Sequence, residues 1–339
     1  MARKSSTAIN IAAGAVVTGL VAGAGYGGCR LHRWSQQWDQ AAEHAASYAS
    51  PAAPVIAPEL LSWHEVGRVQ TGLASVKSFV LLNDGSIAVA GERKLRVITP
   101  AGQVIRDIAL GGMPQAVTAV QDSSGTLLFA GLKDHVEVFD LSGAPRGVWP
   151  SLGEGSFITC LTGGAGGKSL WVADAGRRVV SELDMSGTVL REIGREDVNK
   201  HSPGLVVPSA HLDVAVAADG LVWINNPGRH ELEAYDAQGI MVRQWGLAGE
   251  GVAQFTGCCN PTDFFLMGDR VITAEKGTPR VKVYDGSGSL LSVVATDFAP
   301  NAAGIDVAAD SAGKVWALDP VGHDLRIYAA NKPGLAGVP

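Results

Sequence analysis

A short motif recurs along this chain, and its spacing leaves few folds open. In its clearest copy, Gly268 to Val294, three strand-like runs (Val271–Ala274, Val281–Tyr284 and Leu290–Val294) are separated by the loops TAEKGTPR and DGSG. Alternating apolar and polar positions, β-branched residues and Gly-rich punctuation predict an antiparallel three-strand meander. Further copies start at Gly85, Gly125, Lys168 and Gly220, and a truncated one starts at Gly313. Their second-turn residues, Pro100, Asp140, Asp184, Asp236, Asp285 and Ala329, lie 40, 44, 52, 49 and 44 residues apart. That is the spacing of propeller blades.

An apolar run such as Leu212–Ala217 or Ile305–Ala309 precedes each copy, so the unit has four strands. The six copies predict an all-β, six-bladed propeller. The last copy stops after its third strand, and an unused strand, Trp63–Val69, stands ahead of the first. Pairing the two closes the ring and removes both open edges. Only 18% of the residues are charged and 43 are Gly, which suits a Gly-punctuated sheet protein. The formal charge of −6, with no Arg/Lys cluster interleaved with aromatics, gives no footprint for nucleic acid.

The propeller is expected to occupy residues 60–339. Ahead of it, Arg3 and Lys4 precede an apolar Gly-rich segment, so residues 1–30 read as a signal peptide or transmembrane anchor. Cleavage near Ala22–Ala24, lipidation at Cys29 and retention as an anchor are three fates open to it, and each exports the propeller. Trp34, Trp38 and Ala45 share one face of a short amphipathic helix, and a Pro/Ala linker completes residues 31–59. The expected location is membrane-anchored and extracytoplasmic, periplasmic or cell-surface, with secretion as the alternative.

In a propeller the first strands line the central channel. The loops between second and third strands open on one face, together with the loops leading into the first strands. Two lead-in loops are long and fall in neighbouring blades, and they account for the 52- and 49-residue intervals. One carries His201 and His211, the other the adjacent pair Cys258–Cys259. Aligned first strands, with one residue of slippage in blades three and five, place Ser78, Thr118, Cys160, Asp213, Asp263 and Asp306 around the channel mouth. These side chains can satisfy backbone N–H groups at the strand ends. Asp213, Asp263 and Asp306 can also hold an ion or a ligand.

Adjacent cysteines in an exported protein admit a vicinal disulfide, a soft-metal pair or two separate thiols. A metal would need His201 or His211 as well, with copper or zinc fitting S/N ligands and calcium the lesser alternative. Asn225, Asn226, Glu275 and Lys276 stand at matching loops of the same two blades and are further ligand-binding candidates. Arg177, Arg229 and Arg280 precede or enter third strands, and their repetition suggests a bridge between adjacent blades.

The units LWVADAGRRVVSELDMSG, VWINNPGRHELEAYDAQG and VITAEKGTPRVKVYDGSG resemble NHL-repeat propellers. The resemblance lies in the apolar strand, the Asp/Asn-Pro/Ala-Gly-Arg loop, the second strand and the Asp-x-x-Gly turn, over roughly residues 62–330. It implies the six-bladed fold and functions that range from protein-binding modules to a metal-dependent lyase. That lyase binds its metal through His near the axis. Here only His211 falls near such a position, while Asp263, Asp306 and Ser78 hold the others. Calcium-binding lactonase propellers, which use channel carboxylates, are also similar in shape. The reading is an exported, membrane-associated recognition or scaffold module with a protein partner or small ligand at the propeller face, possible in a redox or metal-handling complex. The alternative is a metal-dependent hydrolase or lyase, or a redox enzyme, on the long-loop face.

Overall fold

The computed structural model describes residues 54–331 apart from 123 and 124. The segments expected to form an N-terminal anchor and an amphipathic helix, with Cys29, lie outside the described residues, and among those described no helix is long and apolar enough to cross a membrane. Six four-stranded antiparallel sheets form the six blades. Their innermost strands are Ser78–Leu81, Ala116–Asp122, Ile158–Gly163, Val214–Val216, Asp263–Met267 and Asp306–Ala309. Each touches the next, and the sixth touches the first, so the ring is closed.

Closure occurs as the orphan strand requires. Trp63–Gln70 is the outer strand of blade six and pairs antiparallel with Asp324–Ala330, from Trp63 opposite Ala330 to Gln70 opposite Asp324. The Trp63 indole N–H donates to Ser292 Oγ at 2.9 Å, tying the closing strand to blade five. Arg326, 1% exposed, donates from Nε and Nη2 to Glu65 Oε2 of the closing strand at 3.0 and 2.9 Å.

Second strands such as Ile87–Gly91 and Val315–Asp319 are buried along their whole length, because neighbouring blades cover both of their faces. Six apolar clusters result, each lying between two successive blades. The hairpin turns at the rim repeat one device. Asp184 Oδ1 accepts from the N–H groups of Ser186 and Thr188 at 2.8 and 2.9 Å, and Asp285 does the same with Ser287 and Ser289. The fourth residue of each turn must be Gly. Gly187 and Gly288 have φ of 87° and 89°, and a Cβ there would sit 2.5 and 2.7 Å from the rings of Trp149 and Trp245 in the preceding blades.

The repeated arginines do not bridge neighbouring sheets as expected. Arg177 pairs with Glu192 and Arg280 with Glu275, each within its own blade, while Arg229 donates to the Pro203 carbonyl in its own blade's lead-in loop. Arg280 likewise donates to the Gln254 carbonyl. Arg229 and Arg280 clamp lead-in loops onto the blades those loops enter, and Arg177 ties the loop after its second strand to the outer strand of the same blade.

Candidate functional site

Two cavities meet end to end along the propeller axis. The lower one, about 350 Å³, is walled largely by apolar side chains of the first strands, including Phe79, Leu81, Leu161 and Phe265. The upper one, about 110 Å³, opens on the long-loop face between Lys77, Gln115, His211, Thr262, Gly304 and Pro320. Lys77, Thr159, Cys160, Asp213, Asp263 and Asp306 line both, so a belt of three carboxyls and a thiol separates mouth from channel.

The belt is a hydrogen-bonded relay from blade to blade. Ser78 Oγ accepts from Val117 N at 3.3 Å, Asp213 Oδ2 from Phe264 N at 2.7 Å, and Asp263 Oδ1 from Val307 N at 3.0 Å. Asp306 Oδ2 accepts from Phe79 N at 2.7 Å, carrying the relay across the closure. In blade three the direction reverses, with Thr159 donating to Leu212 O at 2.6 Å and Cys160 to Val214 O at 3.6 Å. Thr118 is out of this pattern. It faces Phe129 in its ladder, one residue beyond Val117, which faces Ala130.

Satisfying backbone does not use all of these oxygens. Asp213, Asp263 and Asp306 are also close enough to repel one another when charged. Burial pushes Asp213 up to about 6 and Asp306 up to about 7. Burial, followed by repulsion from Asp213 and Asp306, pushes Asp263 well above the carboxylate range. Burial and the nearby Asp213 raise the Cys160 thiol far above its ordinary value, so it stays protonated and unreactive. At the mouth, burial and the charges of Lys276 and Lys77 lower His211 to about 4, leaving a neutral imidazole at neutral pH.

A pH dependence follows. Between about pH 4 and pH 7 these carboxyls hold protons when folded that an unfolded chain releases. At these carboxyls the folded state therefore binds more protons, and their contribution to stability falls as pH rises through that window, while the neutral His211 contributes the opposite slope below about pH 6.5. Each retained proton is worth about 1.4 kcal/mol per pH unit. Asp306→Asn keeps an acceptor for Phe79 N and cannot ionise, so its stability is expected to fall less steeply. Urea-unfolding midpoints from about pH 5 to about pH 7.5 check this, and parallel curves for variant and wild type would contradict it.

The second feature of this face is the cysteine pair. The Sγ atoms of Cys258 and Cys259 lie 3.1 Å apart, in thiol–thiol contact and not bonded. Cys258 is exposed and Cys259 is buried. Ser209 Oγ donates to Cys259 Sγ at 3.2 Å, and Lys276 Nζ donates to Ser209 Oγ at 2.8 Å. Asn260 fixes this geometry. Its Oδ1 accepts from Lys276 N at 2.9 Å and its Nδ2 donates to Lys276 O at 3.0 Å, locking the Cys-Cys segment to the blade-five loop. Burial pushes the Cys259 thiol up, but Ser209, Cys258 and Lys276 together hold it below the ordinary value. The Cys259 sulfur beside it pushes Cys258 up.

Several candidates have other employment. Asn225 is fully buried. Its Oδ1 accepts from Asp213 N at 2.6 Å and its Nδ2 donates to the carbonyls of His211 and Pro261, stapling the two long loops together. Asn226, also fully buried, holds Val206 N, Gly204 O and Glu233. Glu275 is 1% exposed and neutralises Arg280 and Lys282 at 3.0 and 2.5 Å. All three are buried and spend their polar atoms on the scaffold. His201 is exposed at the end of a short turn, at φ 54°. The copper or zinc set of Cys258, Cys259, His201 and His211 is not assembled, since no three His, Cys, Asp or Glu among the described residues are arranged to hold a metal. Ser209, Lys77 and Gln115, which no sequence motif marks, line or support the mouth instead. Lys77 had one available signal, its place immediately before Ser78 in the aligned first strands.

No family model matches this sequence, nor does any curated protein. Solved structures do. Virginiamycin B lyase from Staphylococcus aureus is 10% identical with a TM-score of 0.54, covering 79% of this chain and 98% of that one. A streptogramin B lyase is 11% identical with a TM-score of 0.52, covering 81% and 100%. A protein of unknown function from Bacteroides thetaiotaomicron VPI-5482 is 12% identical with a TM-score of 0.56, covering 79% and 72%. The likeness is one of fold. The six-bladed, NHL-like propeller expected from the repeats is the fold these proteins share with this chain.

Proposed function

We propose that this protein is an extracytoplasmic, membrane-associated recognition module that captures a small zwitterionic group at the mouth of its channel, free or presented by a protein partner. The Arg3–Lys4 start and apolar segment support the location. One observation carries the ligand chemistry: three carboxyls, Asp213, Asp263 and Asp306, crowd together at the floor of a cavity with lysine at its rim. A cationic ligand end can take the place of the protons these carboxyls retain and relieve the repulsion that raises Asp263 and Asp306. Lys77 and the neutral His211 imidazole face the other end, where an anionic or accepting group fits.

Calorimetric titration with β-alanine, taurine and glycine tests this. Saturable one-site binding of at least one of them is expected, weakened by Lys77→Met at the rim and by Asp306→Asn at the floor. No saturable heat with any of the three, or binding that neither substitution changes, would overturn the reading.

A further inference from the structure

The cysteine pair stands beside this mouth and takes no part in ligand capture. We propose that Cys258 and Cys259 form a thiol–disulfide exchange site for low-molecular-weight, carboxylate-bearing disulfides, with Cys258 attacking and Cys259 resolving. Three observations carry it. The sulfurs are already in contact at 3.1 Å, so the second can reach the first without rearranging the loop. Their exposures differ in the required order, since an outside disulfide can meet Cys258 but not the buried Cys259. Cys259 also has a built environment, with the Ser209 hydroxyl donating to its sulfur and Lys276 donating to that hydroxyl. A buried thiol that only filled space would need neither donor.

The chemistry balances as follows. Cys258 Sγ attacks one sulfur of R–S–S–R′ while its proton passes to the Cys259 thiolate. A mixed disulfide Cys258–S–S–R forms and R′S⁻ leaves. Cys259 returns the proton to R′S⁻ and attacks Cys258 Sγ, and RS⁻ departs. The pair is oxidised to a vicinal disulfide by two electrons, and the substrate disulfide is reduced to R′SH and RS⁻. Lys276 and the Ser209 hydroxyl hold the anionic sulfur of Cys259 and act as positioning groups. Lys276 is the charged group facing that sulfur, and its positive charge also favours a substrate bearing carboxylates.

Oxidised glutathione is the probe, applied to the full chain and read by mass spectrometry of the peptide carrying both cysteines. This keeps Cys29 and Cys160 out of the count. The wild type is expected to pass to an internal disulfide, two mass units lighter and closed to alkylation until reductant is added. Cys259→Ser is expected to stop at a glutathione adduct on Cys258, and Cys258→Ser to react many-fold more slowly than either. Lys276→Met is expected to slow the reaction several-fold near neutrality and to move its pH profile upward, with an unchanged unfolding midpoint showing that the loop is intact. A wild type whose two thiols both stay alkylatable under an excess of oxidised glutathione overturns the proposal. So does a Cys259→Ser variant that gains no more glutathione than Cys258→Ser. A Lys276→Met pH profile superimposable on that of the wild type overturns the role given to Lys276.

Discussion

Deletion of residues 1–70 is expected to abolish soluble, monomeric protein, whereas deletion of residues 1–53 is expected to leave a cooperatively unfolding domain. The longer truncation removes the outer strand of blade six and exposes the ladder edge of Asp324–Ala330. It strips the apolar contacts of Trp63 and Val69, both buried, at about 1.5–3 kcal/mol each. It also removes Glu65 from Arg326, which is left with Asp297 as its carboxylate partner. The apolar losses alone are a large share of the stability of an ordinary domain, about 5–15 kcal/mol. Size-exclusion chromatography and urea unfolding of the two truncations decide the matter. A soluble, monomeric 71–339 fragment with the same midpoint as the 54–339 fragment would show that the ring does not depend on this strand.

Glu275→Gln is expected to cost about 3–5 kcal/mol, the largest effect of any single substitution considered for this protein. Glu275 is the sole carboxylate bonded to two fully buried cations, Arg280 and Lys282, among the described residues. Lys282 packs against the rings of Phe255 and Tyr284 at 4.6 and 5.0 Å, and burial pulls it down to about 8. Removing the negative charge leaves both cations in an apolar setting. The damage also has a direction. Arg280 donates to the Gln254 carbonyl, Lys282 to those of Val252 and Gln254, and Glu275 itself accepts from Thr256 N. These bonds pin the segment that runs directly into Cys258 and Cys259. Chemical unfolding should therefore show a lower midpoint, and Cys259 in the folded variant should become open to alkylation. A variant of wild-type stability with Cys259 still protected would mean that the loop is held by other contacts.

The sequence carried the fold because the evidence for it is periodic. The 40- to 52-residue spacing, the Asp-x-x-Gly turns and the surplus strand at Trp63 all repeat or complete one unit. The channel belt was legible for the same reason, since blades align and Asp213, Asp263 and Asp306 fall at equivalent strand starts. Thr118 was misplaced because alignment tolerates a one-residue slip and a strand does not. The side-chain roles in the two long loops were hidden by distance along the chain. Asn225 reads as an exposed polar residue until its amide is seen to span the His211 and Pro261 carbonyls, the latter 36 residues away. Glu275 and Lys276 are neighbours that part company at a strand end. Successive side chains point to opposite sides, so one enters the blade interior and the other reaches Ser209. Nothing in the local sequence says which goes where. His201 and His211 share a loop, and only the structure separates the exposed turn residue from the mouth residue.

The central claim is that a cationic ligand end displaces protons from the carboxyl belt at the channel mouth. Calorimetric titration of the binding probe at about pH 6.5, repeated in buffers of different ionisation enthalpy, reads that displacement directly. Binding a cation beside Asp213, Asp263 and Asp306 lowers their affinity for protons. The expected result is net proton release in the wild type, reduced in Asp306→Asn, which has one fewer titrating carboxyl in the belt. Binding heats that do not change with the buffer, or proton release that survives Asp306→Asn in full, would contradict the account.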